Sequence, residues 1–183
     1  VTIPSFAMGQ YEVTLEEYDR FAIATGREIP NDQGWGRGRR PVMNVSWEDA
    51  KAYTVWLREE TGEPYRLPTE SEWEYAARSG HKQEAWSGTS DESELGEYAV
   101  YAANSGSRTA EVGEDKGRKH NNFGLYDMSG NVWEWCRYSD HNEQDRPVVR
   151  GGSWQTYGDR VSAFVRLGRD LGDHCNSGGY LKN

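Results

Sequence analysis

The sequence is short of apolar residues and of positive charge. Only 35% of its 183 residues are hydrophobic, and it contains neither a run of 18 apolar residues nor a basic-then-apolar leader. We therefore expect no membrane-spanning helix and no signal peptide. The net charge of -9 disfavours nucleic acids and anionic membranes as partners, because both would repel the protein. No linker or internal repeat divides the chain, so we predict one domain over residues 1–183.

Cysteine and histidine are scarce too. The chain has two cysteines, Cys136 and Cys175, and a domain of this size more often keeps two such thiols free or buried than paired; a disulfide is the alternative. The four histidines are scattered: His81, His120, His141 and His174. This spacing gives neither a helical metal pair nor a facial triad, so we expect surface imidazoles.

Aromatic residues supply the apolar area that aliphatic residues do not. The chain has eight Trp and eleven Tyr, and each buried ring removes a large area from water. Three capping boxes predict helices that run from Thr14 to Gly26, from Ser46 to Gly62 and from Thr69 to Gly80. Short strands are predicted over residues 98–102, 132–137, 148–152 and 161–166. Helices followed by irregular strands indicate an α+β domain with much loop.

Residues 121–136, NNFGLYDMSGNVWEWC, form the most informative stretch, together with residues 150–154, RGGSW. Glycine and asparagine cluster where the backbone would need positive φ, yet Trp133, Trp135 and Trp154 are large enough to demand burial. We therefore expect these three indoles in the core. A loop that buries indoles must also satisfy its own backbone polar groups, and a bound cation with oxygen ligands is one way to do so.

Four residues of this stretch have the spacing for such a cation site. The carboxylates of Asp127 and Glu134 bracket a turn that carries the carbonyls of Gly130 and Val132. We predict that these four residues bind a divalent cation, Ca²⁺. The alternative is a turn closed without metal, in which the two carboxylates accept hydrogen bonds from backbone N–H groups.

The two motifs belong to a wider pattern. Four further stretches precede them in order: MGQYEVT (8–14), PVMNVSW (41–47), YRLPTESEWEYAA (65–77) and YAANS (101–105). With all six motifs, the chain resembles the formylglycine-generating-enzyme/sulfatase-modifying domain over nearly its whole length. The resemblance implies a C-type-lectin-like fold with short helices, short antiparallel strands and much loop. It also implies structural calcium at the four residues named above, which match the family's site one by one.

The best-known activity of that family is the oxidation of a sulfatase cysteine to formylglycine, which uses two cysteines shortly after the GGS[WY] motif. In this chain Thr156 and Val161 stand at those places. Neither carries a thiol, and the thiolate is the reactive group that this chemistry needs. Cys136 lies before the motif and Cys175 far after it, so neither substitutes by position. We predict that the protein is not an enzyme and has no catalytic residues.

The C-terminal segment departs from the family pattern. From Thr156 to Tyr180 there is no Glu, Lys, Gln, Met or Trp, although about five would be expected at their frequency in the whole chain. These are the five types that a codon of form NNC cannot encode, and repeated randomisation of adenines in AAC codons would leave this composition. The chain therefore resembles the variable protein of a diversity-generating retroelement. Plain divergence, with a small-sample accident in composition, is the alternative.

On this interpretation residues 155–180 are a variable ligand-binding segment, and the resemblance implies that its side chains face solvent. Its mixture of large and polar side chains resembles that of a paratope. The predicted ligand-binding residues are Tyr157, Asp159, Phe164, Leu167, Arg169, His174, Asn176 and Ser177. We predict a monomeric display or adhesion protein whose partner is a protein or cell-surface ligand.

Two other functions stay open at this point. The chain could be a divergent sulfatase-modifying-type domain that acts as the binding module of a larger protein, or a residual oxidoreductase of the family. A display or adhesion module predicts exposed aromatic residues after Trp154. An enzyme predicts a concave pocket that contains a titratable residue with a perturbed pKa.

Overall fold

The structure, a computed structural model, describes residues 2–113, 117–139, 145–168 and 179–180. The helices and strands are α1 (Leu15–Thr25), α2 (Trp47–Thr61), α3 (Glu70–Ala77), β1 (Trp133–Ser139), β2 (Asp145–Arg150), β3 (Arg166–Gly168) and β4 (Gly179–Tyr180). Long loops join them, and this confirms the predicted α+β class. No helix in these ranges is both long enough and apolar enough to cross a membrane.

Local sequence signals determine where the helices begin. The hydroxyls of Thr14, Ser46 and Thr69 each accept a hydrogen bond from the third residue of the following helix, whose carboxylate bonds back to the cap. The three predicted capping boxes are therefore confirmed. Gly26 and Gly62 end α1 and α2 with left-handed φ angles of 68° and 76°, a conformation that costs glycine little.

The third helix is shorter than predicted. α3 ends at Ala77 with Arg78 as its cap, and the predicted stop, Gly80, instead begins a short 3₁₀ turn. Ser79 already has a left-handed φ of 51°, and its hydroxyl donates to the Glu84 carboxylate at 2.7 Å. The helix has therefore ended before the glycine is reached.

The sheet has four strands in the order β3-β2-β1-β4. β1 and β2 form its centre as an antiparallel pair in which Cys136 lies opposite Val148. β3 pairs antiparallel with β2, whereas β4 runs parallel to β1. The strands predicted over 132–137 and 148–152 are thus present, with β2 beginning and ending earlier than expected.

The other two predicted strands were wrong. In residues 98–102 only Val100 pairs, in an isolated bridge with Gly130. In residues 161–166 strand structure begins only at Arg166, because the preceding residues form turns that bury Val161 and Ala163 completely. Both segments contain β-branched or aromatic residues, but neither has a strand beside it with which to pair.

The core consists of two main clusters on either side of the central strands. In the first, Phe21 of α1 packs with α2 and with Trp135 of β1. In the second, Trp73 of α3 packs with Met128 of the glycine-rich motif and with Ala163. The second cluster fixes the base of the segment that follows Trp154.

Only one of the three indoles predicted in the core is fully buried there. Trp135 is 4% exposed, whereas Trp133 and Trp154 are half-buried. Trp133 packs beside Met43, and the Trp154 ring meets the Trp35 ring edge to face at 5.3 Å between centroids. The prediction holds in part for Trp133, which packs against the edge of two core clusters. It was wrong for Trp154, which contacts Trp35 at the rim of the core.

Candidate functional site

The predicted cation ligands lie in the interior, and their carboxylates already have partners. Asp127 has a left-handed φ of 59° and is 2% exposed. Its Oδ1 accepts from Arg118 Nε at 2.9 Å, and its Oδ2 accepts from the Gly113 backbone N–H at 2.8 Å. Glu134 is buried on β1, where its Oε2 accepts from the Trp73 indole N–H at 2.7 Å.

The two other predicted ligands belong to the tight turn between these carboxylates. Gly130 has a φ of 83°, and a Cβ there would come within 2.1 Å of the Val100 carbonyl oxygen. Its N–H donates to the Gly151 carbonyl at 2.8 Å. Val132 is fully buried, and its N–H donates to Glu12 Oε1 at 3.2 Å. The N–H groups of Gly130 and Val132 are thus satisfied by protein groups.

This arrangement does not fit a calcium ion held jointly by Asp127 and Glu134. The Arg118 guanidinium neutralises the carboxylate that the ion would need, and a cation would have to displace it. The hydrogen bond from Gly113 to Asp127 agrees better with the alternative, a turn closed by backbone N–H groups. Calcium binding stays a prediction of the motif.

Metal removal tests the motif against the geometry. Because Arg118 already neutralises Asp127, we expect EDTA treatment to leave the Tm unchanged, and calcium added back to leave it unchanged as well. Elemental analysis of the untreated protein should find no stoichiometric metal. A fall in Tm that CaCl₂ reverses would show instead that Asp127 exchanges Arg118 for a cation, as the motif predicts.

The predicted ligand-binding residues fall into two groups. Tyr157 is 73% exposed and Phe164 52% exposed, and Asp159 is exposed beside them. The backbone of Leu167 pairs with Val149 in β3. The remaining predicted residues lie outside the described residues: Arg169, His174, Asn176 and Ser177. The structure thus brings Tyr157, Asp159 and Phe164 to one exposed stretch of chain.

Backbone atoms hold this stretch to the rest of the domain. The Ala102 N–H donates to the Thr156 carbonyl at 3.0 Å, and the Ala163 N–H donates to the Ala85 carbonyl at 2.9 Å. The Trp86 indole N–H donates to the Gly158 carbonyl at 2.8 Å. None of these bonds uses a side chain of the stretch itself. Its backbone position therefore does not depend on which exposed side chains it carries.

Along this stretch, residues that are buried or have no room for a larger side chain alternate with the exposed residues. Val161 and Ala163 are fully buried. A Cβ on Gly158 would come within 3.2 Å of the Leu95 side chain, and one on Gly152 within 2.7 Å of Val161. The stretch therefore has fixed positions, set by packing, and outward positions that packing does not constrain.

Arg150, the first residue of the RGGSW motif, joins this stretch to α3. Its guanidinium is 2% exposed and pairs with Glu70 at 3.1 Å and Glu74 at 2.8 Å. It also donates to the Ala163 carbonyl at 2.7 Å and lies over the Trp73 ring. The sequence did not predict this role for Arg150, because its partners are far away in the chain. The one signal was an arginine inside a glycine-rich motif.

The places of the family's two cysteines hold no reactive group. Thr156 Oγ1 accepts from the Ser153 backbone N–H at 2.9 Å, and Val161 is an interior packing residue. Cys136 is buried in the second core cluster, where its thiol lies 3.8 Å from the Glu134 carbonyl oxygen. Cys175 lies outside the described residues. Thus no exposed thiol occurs in the described part of the chain.

Two strongly shifted pKa values belong to the helices. Burial, with the nearby Asp49 carboxylate, raises the pKa of the Tyr18 phenol well above its usual range. Burial alone would raise the pKa of Glu72, but hydrogen bonds from Arg66 and from the Thr69 cap outweigh it and lower that pKa to about 2. Glu72 is the return partner in the capping box of α3. These shifts serve helix structure and supply no group poised for acid–base catalysis.

Comparisons with known proteins agree with the motifs. The family described as "Sulfatase-modifying factor enzyme 1-like domain" matches residues 1–179. An "Inactive C-alpha-formylglycine-generating enzyme 2" of Bos taurus is 34% identical over 168 residues, which cover 75% of this chain and 50% of the relative. A "Formylglycine-generating enzyme" of Streptomyces coelicolor is 36% identical over 174 residues, covering 80% of this chain and 52% of the relative. The chain spans about half the length of these curated relatives.

A solved structure supports the second resemblance, to the variable protein of a diversity-generating retroelement. "Treponema denticola variable protein 1" superimposes with a TM-score of 0.67 and 29% identity, covering 91% of this chain and 87% of that one. The C-type-lectin-like fold and the resemblance to a retroelement variable protein are thereby confirmed. The relatives include both enzymes and a protein described as inactive, so similarity alone does not decide whether the chain has an activity.

Proposed function

The chain belongs to the sulfatase-modifying factor enzyme 1-like family, and we propose that within it the chain is a non-catalytic ligand-binding protein. Residues 155–180, the variable segment, present diversified side chains to a partner. The observation that carries the proposal is the construction of residues 155–168. Their backbone is held by bonds to Ala85, Trp86 and Ala102, while Tyr157 and Phe164 project into solvent.

The chemistry of the former cysteine positions supports the non-catalytic half of the proposal. Thr156 and Val161 cannot form the thiolate that formylglycine formation needs. The relative described as inactive is compatible with a member of this family that has no activity. Turnover of a sulfatase-motif peptide in the presence of copper, above that of heat-denatured protein, would contradict this half of the proposal.

The types of side chain in the variable segment support a macromolecular partner. Tyr157 and Phe164 offer large rigid contacts, and Asp159 offers a polar one, as in paratopes. The same proposal assigns contact roles to the remaining predicted residues: Leu167, Arg169, His174, Asn176 and Ser177. The partner is a protein or a cell-surface ligand, and the binding unit is a monomer.

A second candidate differs only in context. Because the curated relatives are about twice as long as the chain, the domain could serve as the binding module of a larger protein. The encoding locus separates the two. A neighbouring near-copy of the 3′ end that differs only at adenines indicates a retroelement variable protein; its absence favours the module.

Two display libraries test the surface directly. The first randomises Tyr157, Asp159 and Phe164 with NNC codons, and the second treats Gly158, Val161 and Ala163 in the same way. We expect most clones of the first to resist protease like the parent, because exposed substitutions usually change stability by within about ±0.5 kcal/mol. Most clones of the second should be digested, because packing fixes those positions. Equal survival of both libraries would contradict the proposal.

Selection for binding completes the test. Hen lysozyme serves as an arbitrary protein probe, and a third library randomises three exposed positions of α1, Glu16, Arg20 and Ile23, as a matched control. Binders should emerge from the first library and not from the α1 library. Failure of the first library to give any binder, or equal success on α1, would show that this stretch is no better suited to binding than any other surface.

A further inference from the structure

A groove of about 980 Å³ opens between the N-terminal residues and α3. Its walls include Ile3 and Phe6 on one side and Tyr75, Arg78, His81 and Phe123 on the other. All of these residues lie outside the variable segment. The N-terminal wall is anchored from below, since Phe6 packs against the second core cluster.

Phe123 lies in this groove on a loop that hydrogen bonds hold to α3. Its ring is 50% exposed, but its N–H donates to Asn121 Oδ1 at 2.9 Å. The buried Asn121 amide in turn donates to the Ala76 carbonyl of α3 at 2.8 Å. The anchored turn thus holds the exposed part of the ring in one place, where it can contact a partner as aromatic side chains do in binding sites.

The neighbouring groups shape the site around this ring. Tyr75 stacks on Phe123 with 5.8 Å between centroids, and the His81 ring meets Tyr75 edge-on at 6.0 Å. A Cβ on Gly80 would come within 3.1 Å of the Phe123 ring and 3.2 Å of the Tyr75 hydroxyl. Glycine therefore lets both rings lie against the turn.

The charge of the groove is opposite to that of the chain as a whole. The chain has 30 acidic residues, but none of them lines the groove, whereas Arg78 does, and the exposed Lys82 lies next to His81 in the chain. Glu74, which pairs with Arg78, is shared with Arg150, and Glu70 is shared by Arg150 and Arg166, so that three arginines face two carboxylates. Glu84, outside the lining, accepts hydrogen bonds from Ser79 and Asn122. The groove thus offers aromatic surface with Arg78 and Lys82 as the cations nearest to it.

The groove is continuous with the variable segment through Arg78. The Arg78 guanidinium, which lines the groove, lies 4.3 Å from the centroid of the Phe164 ring, and Phe164 is one of the predicted ligand contacts. We propose that the groove is an unvarying second contact site for the protein ligand and takes an aromatic side chain flanked by carboxylates. This inference rests on the proposed ligand-binding function.

The test uses three short fluorescein-labelled peptides as probes. The first has a central phenylalanine with two acidic residues on each side; the second has alanine at the centre, and the third has lysines in place of the acids. In polarisation titrations we expect the first peptide to saturate with a Kd on the order of 0.1–1 mM. The other two should bind at least ~10-fold more weakly. In ¹H–¹⁵N spectra of the unaltered protein, the shifts should concentrate in residues 80–83 and 122–125.

Matched variants assign the binding to the groove. Phe123→Ser should weaken the first peptide at least ~10-fold, and Lys82→Glu should weaken it by a smaller factor. Ile23→Ser, which removes another exposed apolar side chain on α1, should leave binding unchanged. Melting curves show that each variant is folded, and the spectra of the unaltered protein decide the matter if Phe123→Ser is not.

Each other outcome overturns the inference. Absence of binding at millimolar peptide, equal binding of the three peptides, or spectral shifts elsewhere on the domain would each remove the groove as a site. If lysozyme binders arise from the variable segment while the peptides fail, only the groove is refuted. If the peptides bind while the library yields no binder, the variable surface fails and the groove remains a binding site.

Discussion

Replacing Arg150 by methionine is expected to lower the free energy of unfolding by about 3–5 kcal/mol. The guanidinium is 2% exposed and carries the positive charge between Glu70 and Glu74. Methionine would remove the most buried of their cationic partners, leaving Arg166 for Glu70 and Arg78 for Glu74. It would also remove the donor to the Ala163 carbonyl. Urea unfolding, followed by tryptophan fluorescence, measures the loss.

Arg166 provides the matched control. It also pairs with Glu70, at 3.3 Å, but its side chain is 59% exposed. Arg166→Met should therefore change the unfolding free energy by less than about 1 kcal/mol. Similar losses in the two variants would mean that the ion pairs on Glu70 matter only through charge, and that burial of Arg150 does not hold the base of the variable segment in place.

Arg150 holds the backbone of the segment after Trp154 without using that segment's exposed side chains. Arg150 lies before the variable segment, and its partners Glu70 and Glu74 lie in α3. The contact with Ala163 uses the backbone carbonyl, so a different side chain at Phe164 leaves it intact. The interactions that position the segment therefore do not use its exposed side chains, which is the condition that the proposed diversified binding surface must meet.

The helices could be predicted from the sequence because their signals are local. A capping box needs only residues within one turn, such as Thr14 and Glu17, and all three boxes formed as predicted. The strands over 98–102 and 161–166 could not be predicted reliably, because a strand needs a partner that the local sequence does not specify. Val100 has a partner at one position only.

The candidate site, too, could be predicted from the sequence only in part. The resemblance to a variable protein implied that Tyr157 and Phe164 should be exposed, and both are. Spacing alone suggested a cation between Asp127 and Glu134, but it could not show that Arg118 and the Trp73 indole would reach those carboxylates first. A motif does not show which side chains, distant in sequence, will meet its carboxylates in the folded chain.

The groove was invisible to sequence reasoning for the same physical reason. Its walls come from three distant segments, residues 2–8, 75–83 and 123–125. Phe123 stands inside a motif whose other aromatic residues are buried or half-buried, so the sequence favours burial for it as well. Only the course of the chain around Gly80 and Asn121 leaves that ring in solvent.

The largest effect on the first core cluster is expected from Trp135→Ala, at about 3–5 kcal/mol of unfolding free energy. The Trp135 ring is 4% exposed, packs edge-on against Trp47 and donates its indole N–H to the Val45 carbonyl at 3.1 Å. Truncation therefore leaves a cavity between α2 and β1 and an unpaired buried carbonyl.

Trp154→Ala is the matched control, because it removes the same type of side chain from the rim of the core. Trp154 is half-buried and contacts Trp35, so its loss should cost roughly half as much, in proportion to the apolar area that it buries. Chemical denaturation of the two variants under identical conditions measures the ratio. Equal losses would show that Trp154 belongs to the core after all, and that the scaffold continues up to the first residue of the variable segment.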